Sequence, residues 1–157
     1  MIWHPIGVAR PVILLLSGPN LNLLGDRAPE VYGTETLLDH VTASRERANS
    51  QEFDLEHIQS NHEGDLIDAI HAARKRVAAI VINPGALTHY AWALHDALEA
   101  YEGPIVEVHL SDPARRESWR HLSVVEPVAT ASIVGKGGAG YIEAIDVAID
   151  ACTQIDD

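Results

Sequence analysis

Val12-Ile13-Leu14-Leu15-Leu16 is an apolar run of strand length, and after Ser17 comes a long polar connection, Gly18-Pro19-Asn20-Leu21-Asn22-Leu23-Leu24-Gly25-Asp26-Arg27-Ala28-Pro29-Glu30-Val31-Tyr32-Gly33. The run reads as a buried strand and the periodic segment from Thr34 as a helix. Connections of this kind are commonly about two to six residues, and a longer one in a compact domain is a binding loop or a lid. This one carries amides at Asn20 and Asn22, a guanidinium at Arg27 and a phenol at Tyr32.

Outward from that stretch, strands and helices alternate. Leu37, Leu38, Val41 and Ala48 form a helical stripe, with Thr34 or Thr36 as its cap. Phe53 to Ser60 alternates as a partly buried strand, and a helix follows from about Gly64 to Arg76, its Arg74-Lys75-Arg76 end complementing the dipole. Ala78 to Ile82 reads as a strand covered on both faces, then comes a helix from about Thr88 to Tyr101. Ile105 to Leu110 is a fourth strand, Ser111 to Glu117 a loop or short helix, and Ser132-Ile133-Val134 part of a fifth strand. The glycine-rich turn Gly135 to Gly140 leads into a terminal helix, Tyr141 to Cys152. This order predicts an α/β fold: a flavodoxin-like, doubly wound, five-stranded parallel sheet with helices on both faces.

Ligands of such sheets bind outside the carboxyl ends of the strands, at the switch in strand order. The polar clusters fall there: Asn20 after the first strand, Asn61-His62 after the second, Asn83 after the third, His109 and Ser111 after the fourth. Glu107 and His109, two apart on a strand, share a face. A carboxylate beside an imidazole fixes its tautomer and stabilises its cation, which suits a general acid. By residue type alone the alternatives stay open. Tyr32 could pack its ring while Arg27 is solvated, Asn83 could be a turn former, and His89 a first-turn helix residue.

The 157 residues are 46% hydrophobic and suit one domain, 12–157, after an irregular extension, 1–11, that contains two prolines. No run is long enough to span a bilayer and the first residues lack a signal-peptide layout, which predicts a soluble cytoplasmic protein. A net charge of -12 argues against nucleic-acid and anionic-membrane partners. It leaves room for a small anionic substrate, since Arg27, Arg116 and Arg120 fall in loops or at element ends. The single cysteine, Cys152, allows no internal disulfide. The nine histidines form no recognised metal motif, since His62-Glu63 is followed by Leu66 where a second histidine would stand. Gly135 to Gly140 does not match a P-loop.

Several blocks carry a resemblance to one family: Gly18-Pro19-Asn20-Leu21-Asn22, Arg27 to Gly33, Gln59-Ser60-Asn61-His62-Glu63-Gly64, Asn83-Pro84-Gly85-Ala86-Leu87-Thr88-His89, and Glu107-Val108-His109-Leu110-Ser111. In order and together, from Val12 to about Ile149, they resemble type II 3-dehydroquinate dehydratases. The resemblance implies a single catalytic domain that removes water from 3-dehydroquinate to give 3-dehydroshikimate through an enolate. It implies no metal and no cofactor, a homododecamer built from trimers, and a place in the shikimate pathway of aromatic biosynthesis or in quinate breakdown. By position Tyr32 matches the base and Arg27 the cation that lowers its pKa. Asn20 matches the holder of a water that stabilises the enolate, and His109, oriented by Glu107, the acid. Asn83, His89 and Arg120 match holders of substrate hydroxyls, while Leu110 and Ser111 match contacts to the substrate carboxylate. Arg116 matches a second arginine working with the mobile loop, and Asp96 a residue that reaches a neighbouring subunit's site.

Three places depart from the family pattern. Ala28 stands where glutamate is common, Asp112-Pro113-Ala114 replaces Asn-x-His, and Leu122 occupies a frequent histidine position. Two other readings of the fold remain: a flavin-binding protein, which wants a Ser/Thr-rich phosphate loop after the first strand, and a phosphoacceptor receiver domain, which wants an aspartate where Asn83 stands.

Overall fold

The computed structural model describes residues 8–154. Its elements run β1 (Val12–Ser17), α1 (Pro29–Tyr32), α2 (Leu37–Ser50), β2 (Asp54–Gln59), α3 (Glu63–Ala73), β3 (Ala79–Asn83), α4 (Trp92–Glu99), β4 (Ile105–His109), β5 (Ala131–Val134) and α5 (Ala139–Thr153). The five strands form one sheet in the order β2-β1-β3-β4-β5, and every neighbouring pair is parallel. This is the expected flavodoxin-like order, with its switch point between β1 and β3. Residues 8–11 carry no helix or strand, and the remainder of the anticipated extension lies outside the described residues.

Side chains alternate along each strand, so the sheet feeds two cores. Ile13, Leu15, Val81, Val106 and Val108 face α2 and α5, packing with Val41, Ala48, Tyr141 and Ile145. Leu14, Leu16, Ile80, Ile82 and Ile105 face α3 and α4, packing with Leu66, Ile70, Leu94 and Leu98. The apolar runs of β1 and β3 are unbroken because both their faces are covered.

Local chemistry corrects several expected boundaries. Thr36 caps α2 through a reciprocal box: its hydroxyl accepts from Asp39 N–H at 3.2 Å, and Asp39 accepts from Thr36 N–H at 2.8 Å. The buried stripe of α2 is His40, Val41, Ser44 and Ala48, with Leu37 packed beside it. Leu38 points out and is 70% exposed, because it lies one position round the helix from that stripe. Helix α3 ends at Ala73, so Arg74 to Arg76 fall in the next turn, where Lys75 takes a left-handed φ of 60° and Arg76 pairs with Glu56 at 2.8 Å. The helix expected from Thr88 starts at Trp92; a 3-10 segment, Gly85–His89, precedes it.

Candidate active site

β1 and β3 leave the sheet side by side, and their loops are pressed together. Gly18 N–H donates to the Asn83 carbonyl at 2.8 Å, and a Cβ at Gly18 would overlap the Pro84 carbonyl, so only glycine fits there. The loop after β1 is also held from β2: Asn61 Oδ1 accepts from Asn20 N–H at 2.9 Å and from Gln59 Nε2 at 3.2 Å. Asn20 and Ala28, both non-glycine, take left-handed φ values of 68° and 38° at the two ends of the segment that precedes α1. Backbone strain of this kind is concentrated at functional sites.

The resulting cavity, open to solvent, lies over the carboxyl ends of β1, β3 and β4. Asn20, Arg27 and Tyr32 line it from the long loop, and Asn83 and His89 from the β3 side. His109, Leu110, Ser111, Arg116 and Arg120 close the third side. Asn22, Asn61 and His62 lie outside the lining, and so do two of the residues to which the resemblance gave catalytic or substrate-binding roles. Glu107 stands behind His109, and Asp96 is on the outer surface of α4, its side chain 79% exposed beside His95. Among the described residues, the cluster of metal-capable side chains, His95, Asp96 and Glu99, is on that same surface, outside the cavity.

His109 Nε2 lies 3.2 Å from Glu107 Oε2, so the two share a face as their spacing required. Glu107 is 2% exposed and wrapped in donors. The Thr88 hydroxyl donates at 2.5 Å, Ser123 at 2.9 Å and 3.0 Å, and Ser132 from β5 at 3.4 Å. Burial would raise this carboxyl, but the His109 hydrogen bond and charge, with the two nearer hydroxyls, outweigh it and hold it below its ordinary value. An ionised Glu107 accepts from Nε2–H and leaves Nδ1 as the other functional nitrogen of the His109 ring.

Arg116 Nη1 donates to the Tyr32 hydroxyl at 2.8 Å, and the Arg27 guanidinium lies over the Tyr32 ring, 4.9 Å from its centroid. The partner at the phenol oxygen is thus Arg116, while Arg27 meets the ring face. Arg120 stacks on Trp119 at 4.0 Å and donates from Nε to Glu117 at 2.8 Å. His89 Nδ1 donates to the Leu122 carbonyl at 2.6 Å; a carbonyl only accepts, so Nδ1 carries the proton. Burial lowers the pKa of His89 against that bond, and His109 and Arg120 add to the lowering, leaving a neutral ring whose Nε2 is an acceptor.

Two of the three departures from the family pattern find local explanations, and nothing in the structure explains Ala28. Leu122 contributes its main-chain oxygen, which any residue supplies, and Asp112 caps the 3-10 turn Pro113–Arg115 by accepting from Ala114 N–H at 3.0 Å. The glycine-rich turn after β5 satisfies the end of β4: Gly135 and Gly137 donate to the carbonyls of Ser111 and Leu110, both at 3.1 Å. Gly135 does so with a left-handed φ of 73° and with Asp112 against it.

Sequence reasoning gave no role to Thr88, Ser123 and Ser132 around Glu107, or to Tyr141 behind Asn83. Thr88 stood inside a quoted block; Ser123, Ser132 and Tyr141 lay outside every quoted block and had no signal of their own.

These features define a class: flavodoxin-like α/β proteins whose switch-point pocket holds an imidazole–carboxylate pair and an arginine-bound phenol. The chain belongs to the class II dehydroquinase family, a family of carbon–oxygen lyases; the model of that family, "Dehydroquinase class II", matches residues 11–149. A 3-dehydroquinate dehydratase of Bacillus licheniformis is 53% identical over 135 residues, covering 86% of this chain and 93% of its own. That of Ralstonia pickettii is 52% identical over 151 residues, 96% of this chain and 97% of its own, so this likeness extends into the segment before Val12. The crystal structure of a type II dehydroquinase from Butyrivibrio crossotus superposes with a TM-score of 0.87 at 44% identity, over 90% of this chain and 99% of that one.

Proposed function

We propose that this chain dehydrates 3-dehydroquinate to 3-dehydroshikimate through an enolate, with residues 12–157 as one catalytic domain. The observation that carries the reading is a base and an acid in one pocket: Tyr32 with Arg116 on its oxygen, and His109 backed by Glu107. The Tyr32 oxygen takes the proton from the carbon next to the ketone, and Arg27 and Arg116 balance the negative charge on the phenolate. The enolate oxygen is stabilised through a water held by Asn20. As the enolate collapses to the carbon–carbon double bond, the neighbouring carbon–oxygen bond breaks and His109 gives its proton to the departing hydroxyl, so water leaves. Tyr32 then releases its proton to solvent and His109 takes one up, which restores the starting state.

Asn83, His89 and Arg120 hold substrate hydroxyls, and Leu110 and Ser111 receive the carboxylate. The neutral His89 suits this role because its Nε2 accepts a hydroxyl proton. The loop carrying Arg27 and Tyr32 excludes water when it closes. In the assembly, a homododecamer of trimers in the cytoplasm, Asp96 serves a neighbouring subunit's site. The exposed aromatic residues Tyr90, just before its helix, and Trp92, at the helix start, support a contact there.

The test is ultraviolet absorbance of purified protein mixed with 3-dehydroquinate in the presence of a chelator. A rise from the conjugated enone carboxylate of the product, abolished by Tyr32→Phe, is the expected result. No rise from folded, assembled protein overturns the reading in favour of a binding protein without catalysis.

A further inference from the structure

The pocket faces only one side of Asn83; behind it lies a second layer. Asn83 ends β3 with its side chain on the α2/α5 side of the sheet, and it is 3% exposed. Its Oδ1 accepts from Gly85 N–H at 3.2 Å. A main-chain N–H can only donate, so this contact assigns the oxygen and nitrogen of the amide. The Nδ2 group then donates to the hydroxyl of Tyr141, 58 residues away on α5, at 3.0 Å. One of its two hydrogens is used and the other remains for the pocket.

Tyr141 is itself immobile. It is 1% exposed and stacks on the His40 ring of α2, with centroids 5.1 Å apart and planes inclined by 12°. Burial pushes its hydroxyl up to about 12 against the opposing Asn83 bond, so it is a neutral phenol at working pH and not a second base.

We propose that Tyr141 is a positioning residue: with the amide's orientation selected by Gly85 N–H, it holds the Asn83 Nδ2 group in place so that its remaining N–H is presented to a substrate hydroxyl. The inference rests on the reading that Asn83 holds such a hydroxyl. Tyr141 touches no substrate; it acts through Asn83, and His40 holds its ring.

Tyr141→Phe keeps the ring and its stack while removing the acceptor. Its expected effect is a loss of about three- to tenfold in kcat/KM, carried by KM with kcat little changed, the size of one net hydrogen bond felt equally in ground and transition states. In an Asn83→Ala background the same substitution costs nothing further. The side-chain amide signals of Asn83, in protein labelled with nitrogen-15 at asparagine, shift in Tyr141→Phe without substrate present. An unshifted amide overturns the proposal, as does an equal loss in the Asn83→Ala background, which is what a merely structural tyrosine gives. If the amide shifts but wild-type protein does not turn over 3-dehydroquinate, the contact stands and the substrate assignment fails.

Discussion

Arg116 and Tyr32 are 84 residues apart in sequence and 2.8 Å apart in space, joined by a guanidinium-to-phenol hydrogen bond. The bond ties the long loop after β1 to the segment after β4 across the mouth of the pocket, and it places a fixed positive charge at the oxygen proposed as base. Arg116→Ala therefore lowers kcat by about ten- to a hundredfold, the range of a charge-assisted hydrogen bond. Exchange of the substrate's α proton, followed by NMR, falls with it. Exchange at the wild-type rate would separate Arg116 from the base.

Glu107 should report on its collar of hydroxyls. Its folded-state pKa is depressed, so its contribution to stability is present above the unfolded value near 4.5 and is lost as pH falls through the lower folded value. Thr88→Val removes one donor and leaves the carboxylate under-satisfied, at a cost of about 1–3 kcal/mol. Urea unfolding across pH 3 to 7, bounds chosen as roughly the carboxylate titration range, shows the acid-side loss beginning near the same unfolded value but smaller, and complete at higher pH, in the variant, because its folded value lies closer to the unfolded one.

His40 gives the opposite experiment. Among the described residues its Nε2 is buried without a partner, as is Ser44 Oγ, and burial lowers its pKa despite Glu35 and Asp39 nearby. The unfolded chain then takes up a proton first, so stability is full above the ordinary value of 6.5 and erodes as pH drops below it. His40→Phe retains an aromatic ring over Tyr141 and removes the orphan. Urea unfolding of this variant shows a shallower decline in stability below neutrality, by about 1.4 kcal/mol per unit of pKa displacement abolished. His57 and His89, also lowered by burial, keep the remaining slope.

Gly18→Ala tests the contact of the loops at the switch point. The added methyl meets the Pro84 main chain, which cannot swing aside as a side chain would. A loss of about 1–3 kcal/mol in unfolding free energy is expected, together with a fall in kcat/KM as the β3 loop bearing His89 is displaced. Wild-type stability would show that the loops are free to separate.

Much of the fold was legible because parallel strands covered on both faces must be apolar throughout, as Ile13 to Leu16 and Ala79 to Ile82 are. Leu38 misled because adjacent leucines fit two overlapping helical stripes, and only the position of α5 decides between them. The helix expected from about Thr88 begins later because Gly85, at a φ of 59°, sets up a 3-10 turn first. Glu107 and His109 were readable as a pair because strand period alone puts them together. The hydroxyls around Glu107 were not, since Thr88, Ser123 and Ser132 come from three segments with no common period. The same holds for Arg116 on Tyr32, a meeting of two loops that only the folded sheet arranges.

Leu122 holds His89 by its carbonyl while its own side chain is 55% exposed. Structure and identity are therefore decoupled at this position: the bond depends on where the main chain runs and leaves the side chain free of it. That freedom makes it an attachment point. A fluorophore on Leu122→Cys sits beside a pocket histidine without replacing any group that touches it, and its emission then reads the arrival of a ligand in real time.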